Sequence, residues 1–143
     1  MVALTKYRRM NIDIELIRSY LEELHISPQT DEDGDLIILQ EADRDFGHDV
    51  YIFVVVRNNY LRFQAGAPDY KPAEGLDPLY LVNRYNCRRL MPIATVRDGE
   101  IRMEYSFLLD EEVSKEYIVE NCLKLTIGNI WRAFVEFELP DNK

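Results

Sequence analysis

Apolar residues at three- and four-residue spacing, Ile14, Ile17, Tyr20, Leu21 and Leu24, predict a first helix. Asn11 or Asp13 can cap it and Pro28 closes it. The periodicity then changes. Asp31 to Asp35, DEDGD, is a turn signal, and the short apolar run Leu36 to Leu39 follows as a strand. Val50 to Val56, VYIFVVV, is apolar at nearly every position and rich in β-branched residues, which predicts a central strand buried on both faces. Asn58 and Asn59 tolerate the positive φ of a two-residue type I′ turn, so Tyr60 to Gly66 should return antiparallel as a hairpin partner.

Ala67 to Gly75 reads as a loop from its prolines and glycines. Asp77 followed by Pro78 is a helix start, an N-cap oxygen and then a residue whose missing N–H costs nothing at the first position. A second helix should run to about Arg88. Asp98-Gly99 is the strongest hairpin signal in the chain, flanked by LMPIATV and EIRMEYSF. Pro92 places the first of those strands at an edge or near a strand start. Ser114 caps a last helix whose predicted inward stripe is Val119, Leu123, Ile127, Ile130, Phe134 and Phe137. Trp131 lies off the centre of that stripe and is expected to pack on the core. The order is αβββαββα. Tight hairpins imply a largely antiparallel five-stranded sheet with packed helices, an α+β fold.

The second helix raises a question, because Asn83 and Asn86 are poor helix formers at its interior. On a helical wheel at about 100° per residue, Leu79, Val82, Asn83, Asn86 and Leu90 share one arc. The two amides are therefore expected to face the core and satisfy loop or strand-end backbone groups. The opposite arc carries the apolar pair Leu81 and Tyr85 beside the basic pair Arg84 and Arg88. Those four residues are the candidate partner-binding surface, since aromatic residues and arginine are enriched at protein interfaces. A two-fold dimer through this helix is its simplest form.

Length and charge narrow the classes. A chain of 143 residues fits one domain, 1–143, with residues 1–10 expected as a tail. The formal net charge of −9 argues against general nucleic-acid or anionic-membrane binding, which needs a basic face. The first fifteen residues lack a signal-peptide core, and no run approaches the ~18 apolar residues of a membrane span. A cytoplasmic setting is expected, with Cys87 and Cys122 as reduced, buried thiols.

Leu81 to Ile118, LVNRYNCRRLMPIATVRDGEIRMEYSFLLDEEVSKEYI, resembles the signature half of the YbjN-like family. The resemblance lies in the paired asparagines Asn83 and Asn86, the Asp98-Gly99 hairpin, and Val113, Ser114 and Glu116 opening the last helix. It implies a fold similar to type III secretion chaperones and a binding or regulatory module. Members of the family are labelled bacterial sensory transduction regulators. The resemblance brings no catalytic residues with it.

The remaining chemistry is sparse. Gln29 to Gln40 has a glycine at the sixth place of a calcium loop, but lacks the first carboxylate and the bidentate glutamate, so it reads as an acidic turn. His25 and His48 have no second ligand at a recognised spacing, and His48 is expected in a surface turn. No glycine-rich phosphate loop is present. The leading expectation is a non-enzymatic cytosolic module that binds a polypeptide, another protein or its own copy, without cofactor, metal, nucleic acid or membrane. The alternative is a regulatory domain that binds a small anionic metabolite or nucleotide near Arg84, Arg88 and Arg89. An undetected hydrolase stands third.

Overall fold

The computed structural model describes residues 12–72, 76–109 and 113–138. The expected tail at 1–10 lies outside them. Helix α1 (Ile14–Glu23) is capped by Asp13, whose Oδ1 accepts from the Leu16 N–H at 2.9 Å. Strands β1 (Gln29–Thr30), β2 (Leu36–Gln40), β3 (Val50–Arg57) and β4 (Tyr60–Gly66) follow, then α2 (Pro78–Arg88), β5 (Ile93–Arg97) and β6 (Glu100–Leu108). The chain finishes in a continuous helix that is π-wound over Tyr117–Lys124 and becomes α3 (Leu125–Glu138). The fold class is the expected α+β. The sheet has six strands rather than five, in the order β1-β2-β3-β4-β6-β5, with every pair antiparallel. The additional strand is the two-residue β1, too short to show any periodicity.

The predicted turns are present with the backbone they require. Asn58 and Asn59 have φ of 47° and 69°, and Asp98 and Gly99 have 51° and 79°, which matches the twist of a two-residue hairpin. At α2, Asp77 accepts from Leu79 N–H at 2.9 Å, with Pro78 in the first helical position. Ser114 Oγ accepts from Tyr117 N–H at 3.0 Å. Pro92 immediately precedes β5, an edge strand.

The core lies between one sheet face and the helices. Val50, Ile52 and Val54 of β3, Leu61 and Phe63 of β4, and Ile101 and Met103 of β6 meet Ile17 and Leu21 of α1, Leu81 of α2, and Leu123, Ile130 and Phe134 of the last helix. In the last helix the buried stripe departs from expectation near its start. Ile118 and Cys122 are buried, whereas Val119 is only partly so. The i→i+5 winding over this stretch turns the chain less per residue than an α-helix, which shifts the phase of the stripe.

The expectation for β3 fails on one side. Tyr51 and Phe53 are 36% and 37% exposed while Val50, Ile52 and Val54 are fully buried. The alternation is imposed by partners: Phe53 stands opposite Gln64 and Val55 opposite Arg62, so they share the polar face of β4. β3 is therefore buried on one face only.

Candidate functional site

Half of the predicted surface on α2 is core, since Arg88 is exposed and Arg84 half-buried but the apolar pair is not. Leu81 is 1% exposed and Tyr85 6%, and the Tyr85 ring stacks on Phe137 with centroids 5.4 Å apart. Burial pushes the Tyr85 hydroxyl up to about 12, helped by the charge of Glu136. The helix buries the arc of Leu81, Val82 and Tyr85 rather than the arc centred on the two asparagines. Leu81, Val82 and Tyr85 give the sheet three apolar side chains at adjacent helical positions, which outweighs the stripe that runs through two amides. Leu79 is exposed, and Leu90, at 93% exposed, lies beyond the helix end and cannot anchor a face. Arg84 sits over the Tyr80 ring at 5.7 Å, and Arg89 Nε donates to Glu136 at 2.9 Å. The helix-two dimer thus loses its apolar pair, and Arg89 is engaged by Glu136, while Arg88 stays exposed and Arg84 half-buried.

The two asparagines part company. Asn86 Nδ2 donates to the Ala94 carbonyl at 2.9 Å, and Asn86 Oδ1 accepts from the Ala94 N–H at 2.9 Å. One amide side chain thereby completes the outer hydrogen bonds of an edge strand, as a seventh strand would. Asn83 is exposed and makes no hydrogen bond seen among the described residues. The structural reading holds for Asn86 and does not extend to Asn83.

Other candidates resolve into structure. Asp31 Oδ1 accepts from the N–H groups of Asp33 and Asp35, both at 2.9 Å, closing the acidic turn. The carboxylates of Asp31, Asp33 and Asp35 lie within 4.8 Å of one another, and Asp35 takes a two-pronged contact from Arg57 at 3.0 and 3.2 Å. His48 is half-buried against Phe46 and Tyr70 in the segment before β3, and the Trp131 edge meets Phe46 at 5.7 Å. Cys122 is buried, which pushes its thiol up to about 12, but Cys87 is exposed rather than packed. Cys87 lies on the side of α2 away from the buried Leu81, Val82 and Tyr85.

What sequence reasoning missed is the open sheet face. Across β2, β3, β4, β6 and β5 one row reads Ile37, Phe53, Gln64, Glu104, Ile93, and the next reads Leu39, Tyr51, Gly66, Arg102, Thr95. The β2–β3 half is apolar, and the β4–β6–β5 half is mostly polar, with Glu104 and Arg102 at its centre. Antiparallel sheets with one solvated face normally alternate cleanly to polar; here Leu39, Tyr51, Phe53 and Ile93 all remain substantially exposed. A concavity of about 510 Å³ lies on this face, walled by Tyr51, Phe53 and Arg102, with Gly66 in its floor. Beside it Glu104 Oε1 accepts from Gln64 at 2.8 Å and from Arg62 at 3.2 Å, with Arg97 at 3.6 Å. Burial opposes ionisation of Glu104, but the Gln64 hydrogen bond and the charges of Arg97 and Arg62 outweigh it and hold its pKa below the ordinary value. The signal for this face was the polar alternation of β4 and β6, which their register transfers to β3.

No described helix is long and apolar enough to cross a membrane. A family model described as "YbjN: Putative bacterial sensory transduction regulator" matches residues 13–122. A crystal structure of YbjN from E. coli, described as "a putative transcription regulator", superposes with a TM-score of 0.68 at 14% sequence identity, covering 94% of this chain and all of that one. At that identity the likeness speaks for the fold. No curated protein matches the chain.

Proposed function

The chain belongs to the YbjN family, and from that premise we propose that it is a non-enzymatic regulatory module that docks another polypeptide on the open face of its sheet. One observation carries the reading: Leu39, Tyr51 and Phe53 form an exposed apolar patch bordered by Arg62 and Arg102. Contiguous apolar surface rimmed by polar groups is the mark of an interaction site. Its composition, aromatic anchors with arginine, is that of protein interfaces. The surface is also built on β-strands packed to a core, so a partner meets it without an ordering cost in this chain.

The test is a thiol footprint. In a Cys87→Ser background, Leu39→Cys puts a reporter beside Tyr51 and Arg132→Cys puts one on the exposed side of α3. Alkylation is timed in intact cells and on the purified protein. Slower labelling in cells at position 39 alone supports a docked partner. Equal slowing at both positions, or at neither, contradicts it.

A further inference from the structure

Granted that the open face is a docking surface, its electrostatics define the occupant. Among the described residues, Arg62, Arg97 and Arg102 meet two carboxylates, Glu104 and Glu100, whereas Arg57 at the end of the face meets Asp35 of the Asp31, Asp33 and Asp35 cluster. The chain as a whole has a formal charge of −9, so the excess of arginine around Arg62, Arg97 and Arg102 runs against the rest of the protein. The deficit is local. Arg62 and Arg97 share the single carboxylate of Glu104, at 3.2 and 3.6 Å. Arg102 has Glu100 alone, through Nη2 at 3.3 Å, while its Nε–H is buried with no acceptor among the described residues.

Geometry places that arginine at a notch in the face. Tyr51, Gly66 and Arg102 lie side by side on β3, β4 and β6. Gly66 contributes no side chain, and a Cβ built there would come within 4.0 Å of Arg102 Nε. The gap is therefore bounded by aromatic rings on one side and by the Arg102 guanidinium with its Glu100 partner on the other, at a volume that suits a few side chains.

We propose that the occupant is an acidic, apolar polypeptide segment, seated over Gly66 with a carboxylate on Arg102 and an apolar side chain against Tyr51 and Phe53. An incoming carboxylate relieves the shortage of anions among Arg62, Arg97 and Arg102, and guanidinium–carboxylate pairs are the strong class of hydrogen bond. The acidic remainder of the chain repels the same segment, which confines it to this face. A second copy docked face to face opposes one set of arginines to another and is disfavoured.

The experiment selects displayed random short peptides on the folded full-length chain, then titrates them by fluorescence anisotropy against wild type, Phe53→Ser and Arg102→Glu. Expected are peptides enriched in Asp or Glu beside aromatic or aliphatic residues, weakened about tenfold or more by Arg102→Glu and by added salt. Changing each peptide Asp and Glu to Asn and Gln must weaken binding to wild type equally, a readout that leaves the fold untouched. Peptides lost with Phe53→Ser but lacking acidic enrichment, and indifferent to Arg102→Glu, overturn the acidic occupant and leave the docking face standing. Peptides indifferent to Phe53→Ser, or no selected peptides at all, overturn both.

Discussion

Replacing Asn86 by alanine removes both hydrogen bonds that link α2 to the outer edge of β5. Ala94 is nearly fully buried, so its N–H and carbonyl have little access to water once the amide is gone. Each lost bond costs on the order of 0.5–1.5 kcal/mol net, so the pair amounts to roughly 1–3 kcal/mol. Alanine offsets part of this, because it is the better helix former by up to about 0.7 kcal/mol. The expected net loss is about 1–2 kcal/mol, a fall in Tm of roughly 3–8 °C for a chain of this size. Thermal denaturation followed by circular dichroism measures it, and hydrogen exchange at the Ala94 amide localises it. Asn86→Asp turns a carboxylate oxygen toward the Ala94 carbonyl that the amide had donated to, and should cost at least as much as alanine at neutral pH. Asn83→Ala is the control: exposed and without a seen partner, it should stay within about 0.5 kcal/mol of wild type. An Asn86→Ala protein with unchanged Tm and unchanged Ala94 exchange would refute the reasoning.

Leu81→Ala should cost about 2–5 kcal/mol in denaturant unfolding, as a fully buried leucine does, and an exposed-surface role for Leu81 predicts almost none. One thiol, Cys87, should react with a disulfide reagent at pH 8 in the native protein and two after unfolding, because burial keeps Cys122 protonated. Glu104 has a lowered folded-state pKa, so its contribution to stability is present above the ordinary carboxylate range and lost as pH falls through the folded value. Glu104→Gln should therefore be less stable than wild type at neutral pH, with the gap closing in acid below the ordinary carboxylate range; a gap independent of pH would show that the Arg62 and Arg97 charges do not act on it.

The fold was legible where the signals are local. Asp77-Pro78, Asp98-Gly99, Asn58-Asn59 and Ser114 each specify their own cap or turn, and each is found doing so. The α+β class followed from those punctuation marks and from hairpin pairing. Orientation was not local, and there the reading broke. Both arcs of α2 carry apolar residues, and only packing against the sheet and Phe137 decides between Leu81 with Tyr85 and Leu79 with Leu90. β3 is apolar on both of its faces, so its open side is decided by the register with β4 rather than by its own composition. The docking face was hidden by the same fact. Its residues come from five strands, 37 to 104 in the sequence, and no motif connects them. Asn86 is the exception, a candidate whose bridging role followed from residue type and position near a helix end.

Site-specific photo-crosslinking tests the docking face most directly. A photoreactive phenylalanine analogue is placed at Phe53, in the centre of the apolar patch, and separately at Arg132 on the exposed side of α3, and cells are irradiated. The docking face predicts a discrete covalent adduct to another polypeptide from position 53 that is missing from position 132 and is weakened by Arg102→Glu. Adducts from position 132 alone, or none from position 53, contradict it.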